Sequence, residues 1–164
     1  MHRLRLGRSL RTGVACLAAV VCILVGNRVA RASASPTLVP TASTYDASAF
    51  AVTHGWERVV AQSDGRFHGM SVRGYHPGAS AAFDFWGSTF RLYGVVGPGG
   101  GLGLVTIDGH PAYIMNFYAP RKSTHLVVYE SPKLTRTKHR IELKILGERT
   151  TPGRYVNLDG IDVR

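Results

Sequence analysis

From Thr44 onward, apolar and polar residues alternate in runs of about five to eight, broken by Gly, Pro, Asp or Asn. A period of two is that of a pleated strand with one face buried, so this stretch is predicted to be β throughout, and no part of it carries a helical period. The predicted strands are Trp56–Val60, His68–Tyr75, Ser80–Trp86, Thr89–Val95, Leu102–Ile107, His110–Tyr118, His125–Glu130, His139–Leu146 and Tyr155–Val163. Phe83, Phe85, Phe90 and Leu92 should point inward, with Asp84, Trp86, Arg91 and Tyr93 pointing outward together. Ile141, Leu143 and Ile145 make the clearest inward row, and Asp108-Gly109 is a two-residue hairpin signal joining antiparallel partners. Eight or nine strands at this spacing suit a two-sheet antiparallel β-sandwich, a jelly roll, better than a closed barrel.

The N-terminus has a different pattern. A basic stretch, His2 to Thr12, precedes an apolar run from Gly13 to Gly26 and then Ala32-Ser33-Ala34, the three-part form of a secretory signal. The run falls short of the ~20 residues that cross a bilayer as a helix. Residues 1–34 are therefore expected to be a signal peptide or, if uncut, a signal anchor forming an N-terminal hydrophobic helix. Arg28 and Arg31, between the run and the expected cleavage point, are unusual for a cleaved signal. Residues 35–44, rich in Ser, Thr, Ala and Pro, read as a linker, and 45–164 as one domain. The expected location is secreted or extracytoplasmic, with membrane contact only through the N-terminal segment.

Composition narrows the chemistry. Both cysteines, Cys16 and Cys22, lie inside the apolar run without a lipoprotein-like context, so the exported domain has no disulfide, thiolate metal site or catalytic cysteine. Export without disulfides is common on the outer surface of Gram-positive-type bacteria, and a bacterial source is expected. The chain carries 20 Lys and Arg against 10 Asp and Glu, a formal charge of +10. Six of the arginines flank the apolar run, which leaves 14 against 10 acids. That residue of charge, running through Arg121, Lys122, Lys133, Arg136, Lys138, Arg140 and Lys144, reads as a solvated basic face, and nucleic acid is not an expected partner.

Several motifs are weaker than they look. The glycine-rich Gly94–Gly103 lacks the Gly-Lys-Ser/Thr and the following helix of a phosphate loop and reads as a flexible connection. His54, His68, His76, His110, His125 and His139 show no metal-ligand spacing, although a zinc site could assemble in three dimensions. Ser, His and Asp are all present without a nucleophile-elbow context. The outward aromatics are more informative. Trp86 and Tyr93, with Arg91, Tyr118 and Arg121, combine ring faces with charged hydrogen-bond donors, a mixture suited to the C–H faces and hydroxyls of a sugar.

The order of motifs resembles the galactose-binding-like jelly-roll superfamily, which includes many non-catalytic carbohydrate-binding modules. The resemblance runs from about Gly55 to Val163. It rests on Gly78-Ala79-Ser80 leading into Phe83-Asp84-Phe85-Trp86-Gly87, then Phe90-Arg91-Leu92-Tyr93-Gly94 and Val105-Thr106-Ile107-Asp108-Gly109. Lys138-His139-Arg140-Ile141-Glu142-Leu143 and Val156 to Val163 resemble the last two strands of the family. The resemblance implies ligand binding on end loops or a sheet face, and a structural calcium for which Asp46, Asp159 and Asp162 are the candidate ligands. The expected function is non-catalytic recognition of cell-surface or wall glycans through Trp86, Arg91, Tyr93, Tyr118 and Arg121. The alternatives are a structural or protein-interaction domain whose segment Lys133–Lys144 contacts an anionic polymer or a surface protein, and a small secreted hydrolase.

Overall fold

The computed structural model describes residues 42–147 and 151–164. The expected signal, anchor helix and most of the linker lie outside the described residues. Eleven strands form: β1 Ser43–Asp46, β2 Ala51–Val52, β3 Trp56–Val60, β4 Met70–Gly74, β5 Ser80–Gly87, β6 Phe90–Val96, β7 Leu102–Ile107, β8 His110–Asn116, β9 Ser123–Glu130, β10 Thr137–Ile145 and β11 Val156–Val163. They build two antiparallel sheets, one ordered β3-β4-β11-β6-β9 with β1 also paired to β11, the other β2-β5-β10-β7-β8. This is an all-β jelly-roll sandwich. β1 begins at Ser43, inside the stretch expected to be linker, and the expected strand from His68 starts only at Met70, because Phe67–Gly69 is a 3₁₀ turn.

The inward rows meet between the sheets. Ile141, Leu143 and Ile145 from one sheet and Phe90, Leu92, Leu158 and Ile161 from the other are all buried in a single apolar cluster. Phe85 joins them, and Phe83 packs against the cluster while touching the rings of Tyr45 and Phe50. A buried Leu or Ile of this kind stabilises by roughly 1.5–3 kcal/mol, which lets the domain do without disulfides. The expected hairpin is present: Asp108 and Gly109 take φ of 51° and 80°, the positive values that a two-residue turn of the favoured hand requires.

The connection between β5 and β6 departs from expectation. The two strands do not pair; the chain turns at Gly87, Ser88 and Thr89 and crosses from one sheet to the other. Ser88 and Thr89 donate their N–H groups to the carbonyl of Arg164, and a Cβ at Gly87 would sit on that same oxygen. Glycine is the residue that lets the corner close. The glycine-rich connection Gly97–Gly101 is likewise pinned rather than flexible. Gly97 N–H reaches the Phe117 carbonyl, Gly101 N–H reaches that of Tyr155, and the Gly99 carbonyl accepts from Arg154 and Tyr155.

One polar pair braces the β7–β8 hairpin against β10. Asp108 accepts from the backbone N–H of Arg140 at 2.9 Å and lies 2.7 Å from Nδ1 of buried His139, whose Nε2 is 2.7 Å from the Thr135 carbonyl. A carbonyl only accepts, so Nε2 carries a proton, and Nδ1 facing a carboxylate favours a second one. Burial alone would lower the His139 pKa, but the Asp108 carboxylate and the Thr135 carbonyl outweigh it and raise the pKa. The Arg140 N–H and His139 hold the Asp108 carboxyl below its usual range. The histidine's share of stability is complete below its unfolded pKa of about 6.5 and is lost as pH rises through the higher folded value. The share from Asp108 has the opposite sense, present above about pH 3.9 and lost on acidification through its lower folded value. Chemical denaturation of the wild-type chain should therefore show stability falling as pH is raised from about 6.5, and His139→Gln should flatten that fall. An undiminished slope in the variant would place the effect elsewhere.

Two cavities at opposite ends of the central strand

Trp86, next to last in β5, points away from the core opposite Lys138 of β10 and is 66% exposed. Among the described residues little covers it, because the corner at Gly87 takes the chain off to the other sheet. It lines a cavity of about 540 Å³ with Tyr45, Asp84, Arg136, Val163 and Arg164. Tyr45 is also exposed, at 40%, so two aromatic residues border one opening. Asp84 is paired with Arg140 at 3.1 Å, and Lys138 lies 3.9 Å away. The outward side chains of the Lys133–Lys144 segment are thus solvated, and two of them are partly neutralised.

The structure separates the residues expected to share a face. Arg91 and Tyr93 lie on β6, in the other sheet from Trp86, because β5 and β6 do not pair. Arg91 forms an ion pair with Glu130 at 2.9 Å, and Tyr93 donates its hydroxyl to Asp162 at 2.7 Å while stacking on His125 at 4.6 Å. That hydrogen bond, with burial and the Asp162 charge, raises the Tyr93 pKa. Tyr93 is therefore occupied by the protein itself. Tyr118 and Arg121 are exposed on the β8–β9 connection, where Tyr118 bridges to Gly97, and neither lines either cavity.

The three carboxylates expected to hold calcium are also occupied. Asp46 caps the 3₁₀ turn Ala47–Ala49 by accepting from Ser48 N–H at 2.8 Å and meets His68 Nδ1 at 3.2 Å. The Ser48 hydroxyl bond outweighs burial, and with His68 it lowers the Asp46 pKa. Asp159 is fully buried, accepts the Phe67 N–H at 3.0 Å and lies 2.8 Å from His125 Nδ1. Asp162 receives the Tyr93 hydroxyl. Among the described residues no three His, Cys, Asp or Glu side chains converge on a point that would hold a metal ion. The His125–Asp159 and His139–Asp108 pairs have the form of catalytic dyads, but among the described residues no serine hydroxyl is hydrogen-bonded to either histidine.

A second cavity, of about 270 Å³, opens at the other end of β11. Arg66, Arg73, Lys122, Tyr155 and Asn157 line it below the glycine-rich connection. None of these was a candidate in the sequence. They come from the β3–β4 connection, β4, the β8–β9 connection and the start of β11, so only the topology brings them together. Asn157 borders this cavity and Val163 the other, six residues along one strand, or about 20 Å.

No protein-family model matches the chain, and no curated protein is similar to it. Solved structures are. A family 35 carbohydrate binding module from Clostridium thermocellum matches with a TM-score of 0.52 at 14% identity, over 74% of this chain and 95% of that one. The Podospora anserina GH26-CBM35 β-(1,4)-mannanase matches with a TM-score of 0.53 at 19% identity, over 74% of this chain and 27% of that one. A Paenibacillus sp. cycloisomaltooligosaccharide glucanotransferase complexed with cycloisomaltoheptaose gives a TM-score of 0.54 at 17% identity, over 74% of this chain but only 18% of the enzyme. The chain thus spans a small part of each enzyme and nearly the whole of the isolated module. The class so defined is the antiparallel jelly roll. Within it, the fold is similar to that of the family 35 carbohydrate binding module.

If Tyr93 is structural, Tyr93→Phe should destabilise the domain by about 1–3 kcal/mol through the unpaired Asp162 carboxylate, measured by denaturant unfolding.

Proposed function

We propose that this domain is a non-catalytic, extracytoplasmic carbohydrate-binding module that takes a cell-surface or wall glycan in the Trp86 cavity. The observation that carries the reading is the indole of Trp86, two-thirds exposed at the rim of a cavity that also holds Tyr45, Asp84 and Arg136. A sugar ring lays its C–H face on an aromatic plane and turns its hydroxyls toward charged groups, and this rim offers both. Covering one face of the indole would contribute about 2 kcal/mol at ~25 cal/mol per Å². A single sugar would then be held weakly, and the polar groups beside it would set which one. The likeness to an isolated carbohydrate-binding module over nearly its whole length supports the reading. So does the secretory form of the N-terminal sequence, which would export the domain to where such glycans lie.

A second reading has its own observation. β8 and β9 are edge strands of the two sheets, and they expose Tyr113, Ile114, Leu126 and Val127. An apolar strip along open edges favours a protein-interaction or structural domain at the cell surface.

Tryptophan fluorescence of the full-length chain, titrated with mono- and polysaccharides, separates the two. A saturable change that disappears in Trp86→Ala, while the variant keeps its melting temperature, is the result expected. A folded protein that gives no change with any glycan would transfer the assignment to the second reading.

A further inference from the structure

The cavity around Arg66 differs in chemistry from the Trp86 cavity. We propose that it is a second, separate binding site, for a single oxyanion group, a carboxylate or a sulfate, carried by a saccharide or free in solution.

The first ground is a buried cation with most of its donors unmatched. The Arg66 side chain is only 5% exposed, and its one contact with an acid is Nη2 to Asp64 Oδ2 at 3.3 Å. Its Nε and Nη1 are buried with no hydrogen-bond partner among the described residues. A guanidinium presents its donors in a planar fork, and leaving two of them dry and unmatched is unfavourable unless something occupies the space before them. Arg66 is among the residues that line the cavity.

The second ground is the local balance of charge. Lys122 Nζ lies 2.6 Å from the same Asp64 oxygen, and Arg73 donates to Glu57 through Nε at 2.9 Å. Three cations, Arg66, Arg73 and Lys122, are thus matched by two carboxylates, with one positive charge in excess. Asp64 Oδ1 is also unpartnered, which leaves one free acceptor against two free donors on Arg66. One carboxylate or sulfate-ester group would close the difference, and a free sulfate ion would exceed it by one charge.

The third ground distinguishes this site from a stacking platform for a neutral sugar. One face of the Tyr155 ring is covered by the Arg73 guanidinium at 4.3 Å, and Tyr75 meets Tyr155 edge-on. That face is not open to a sugar. Asn157 Oδ1, buried and without a partner, offers an acceptor to a hydroxyl beside the anion. The site is also held in place. Asp159 fixes the Phe67 N–H, next to Arg66 in the chain, and the Gly97–Gly101 connection above is pinned by backbone hydrogen bonds.

Titration calorimetry of the full-length chain with sodium glucuronate, glucose and inorganic sulfate tests the assignment. Glucuronate binding with a stoichiometry of one should weaken in added NaCl, as partly exposed charges are screened. Losing a charge-assisted hydrogen bond in Arg66→Gln should weaken it about tenfold or more. Lys122→Gln, at a half-exposed position that the fold tolerates, should weaken it as well and serves if Arg66→Gln does not fold. Trp86→Ala should leave it intact, so that this site and the glycan reading stand or fall separately. Sulfate binding as tightly as glucuronate would support the site with the free ion as its occupant; glucuronate binding alone would support a saccharide-borne carboxylate. Glucose binding equal to glucuronate, anion binding unaffected by both variants, or no binding of either anion would overturn the proposal.

Discussion

A fully buried carboxylate on the central strand sets much of this structure. Asp159 sits where β11 slips register between Leu158 and Gly160 against β6, and the irregularity turns its side chain toward the β3–β4 connection. An ionised carboxylate away from water needs donors close by. It has the Phe67 N–H and the ring of His125. To provide them, two residues adopt backbone conformations that side chains disfavour: His68, beside Phe67, at φ 50° and His125 at φ 53°. The rings of His68, Phe67, His125 and Tyr93 then stack in succession over the sheet. The position of Arg66 is one result of this arrangement, since its neighbour in the chain is held by the buried acid.

The same arrangement explains why the exposed aromatics divide as they do. Tyr93 has a hydroxyl and a neighbouring acid on its own sheet, and it is drawn into the fold. Trp86 has neither a partner across the sheet corner nor a loop above it, and it stays in water. Two residues that alternate alike in sequence thus have different fates, decided by which sheet each strand joins. Of the two, only Trp86 keeps a free face for a ligand.

Legibility in the sequence followed the range of the interactions. The inward rows of β5, β6 and β10 and the turn at Asp108-Gly109 are local patterns, and the strands and layers they predict are present. The β5–β6 corner was not legible, because a short Gly-containing connection between two alternating strands has the form of a hairpin; only the Arg164 carbonyl, far along the chain, shows that the strands part. Asp159 and Asp162 looked like free ligands for the same reason, since the residues that engage them are distant in sequence. The Arg66 cavity left no local mark at all. Its charged groups come from three separate connections and strands, and no spacing rule links them.

β11 follows in sequence every strand that it joins, and among the described residues it alone links β1, the β3-β4 pair and the β6-β9 pair. Until the chain through Val163 has been made, β3-β4 and β6-β9 are two separate ribbons with their apolar faces unprotected. Long-range pairing of this sort closes slowly. The sandwich is therefore one whose first sheet closes only when its last strand arrives, so every other strand of that sheet waits on β11.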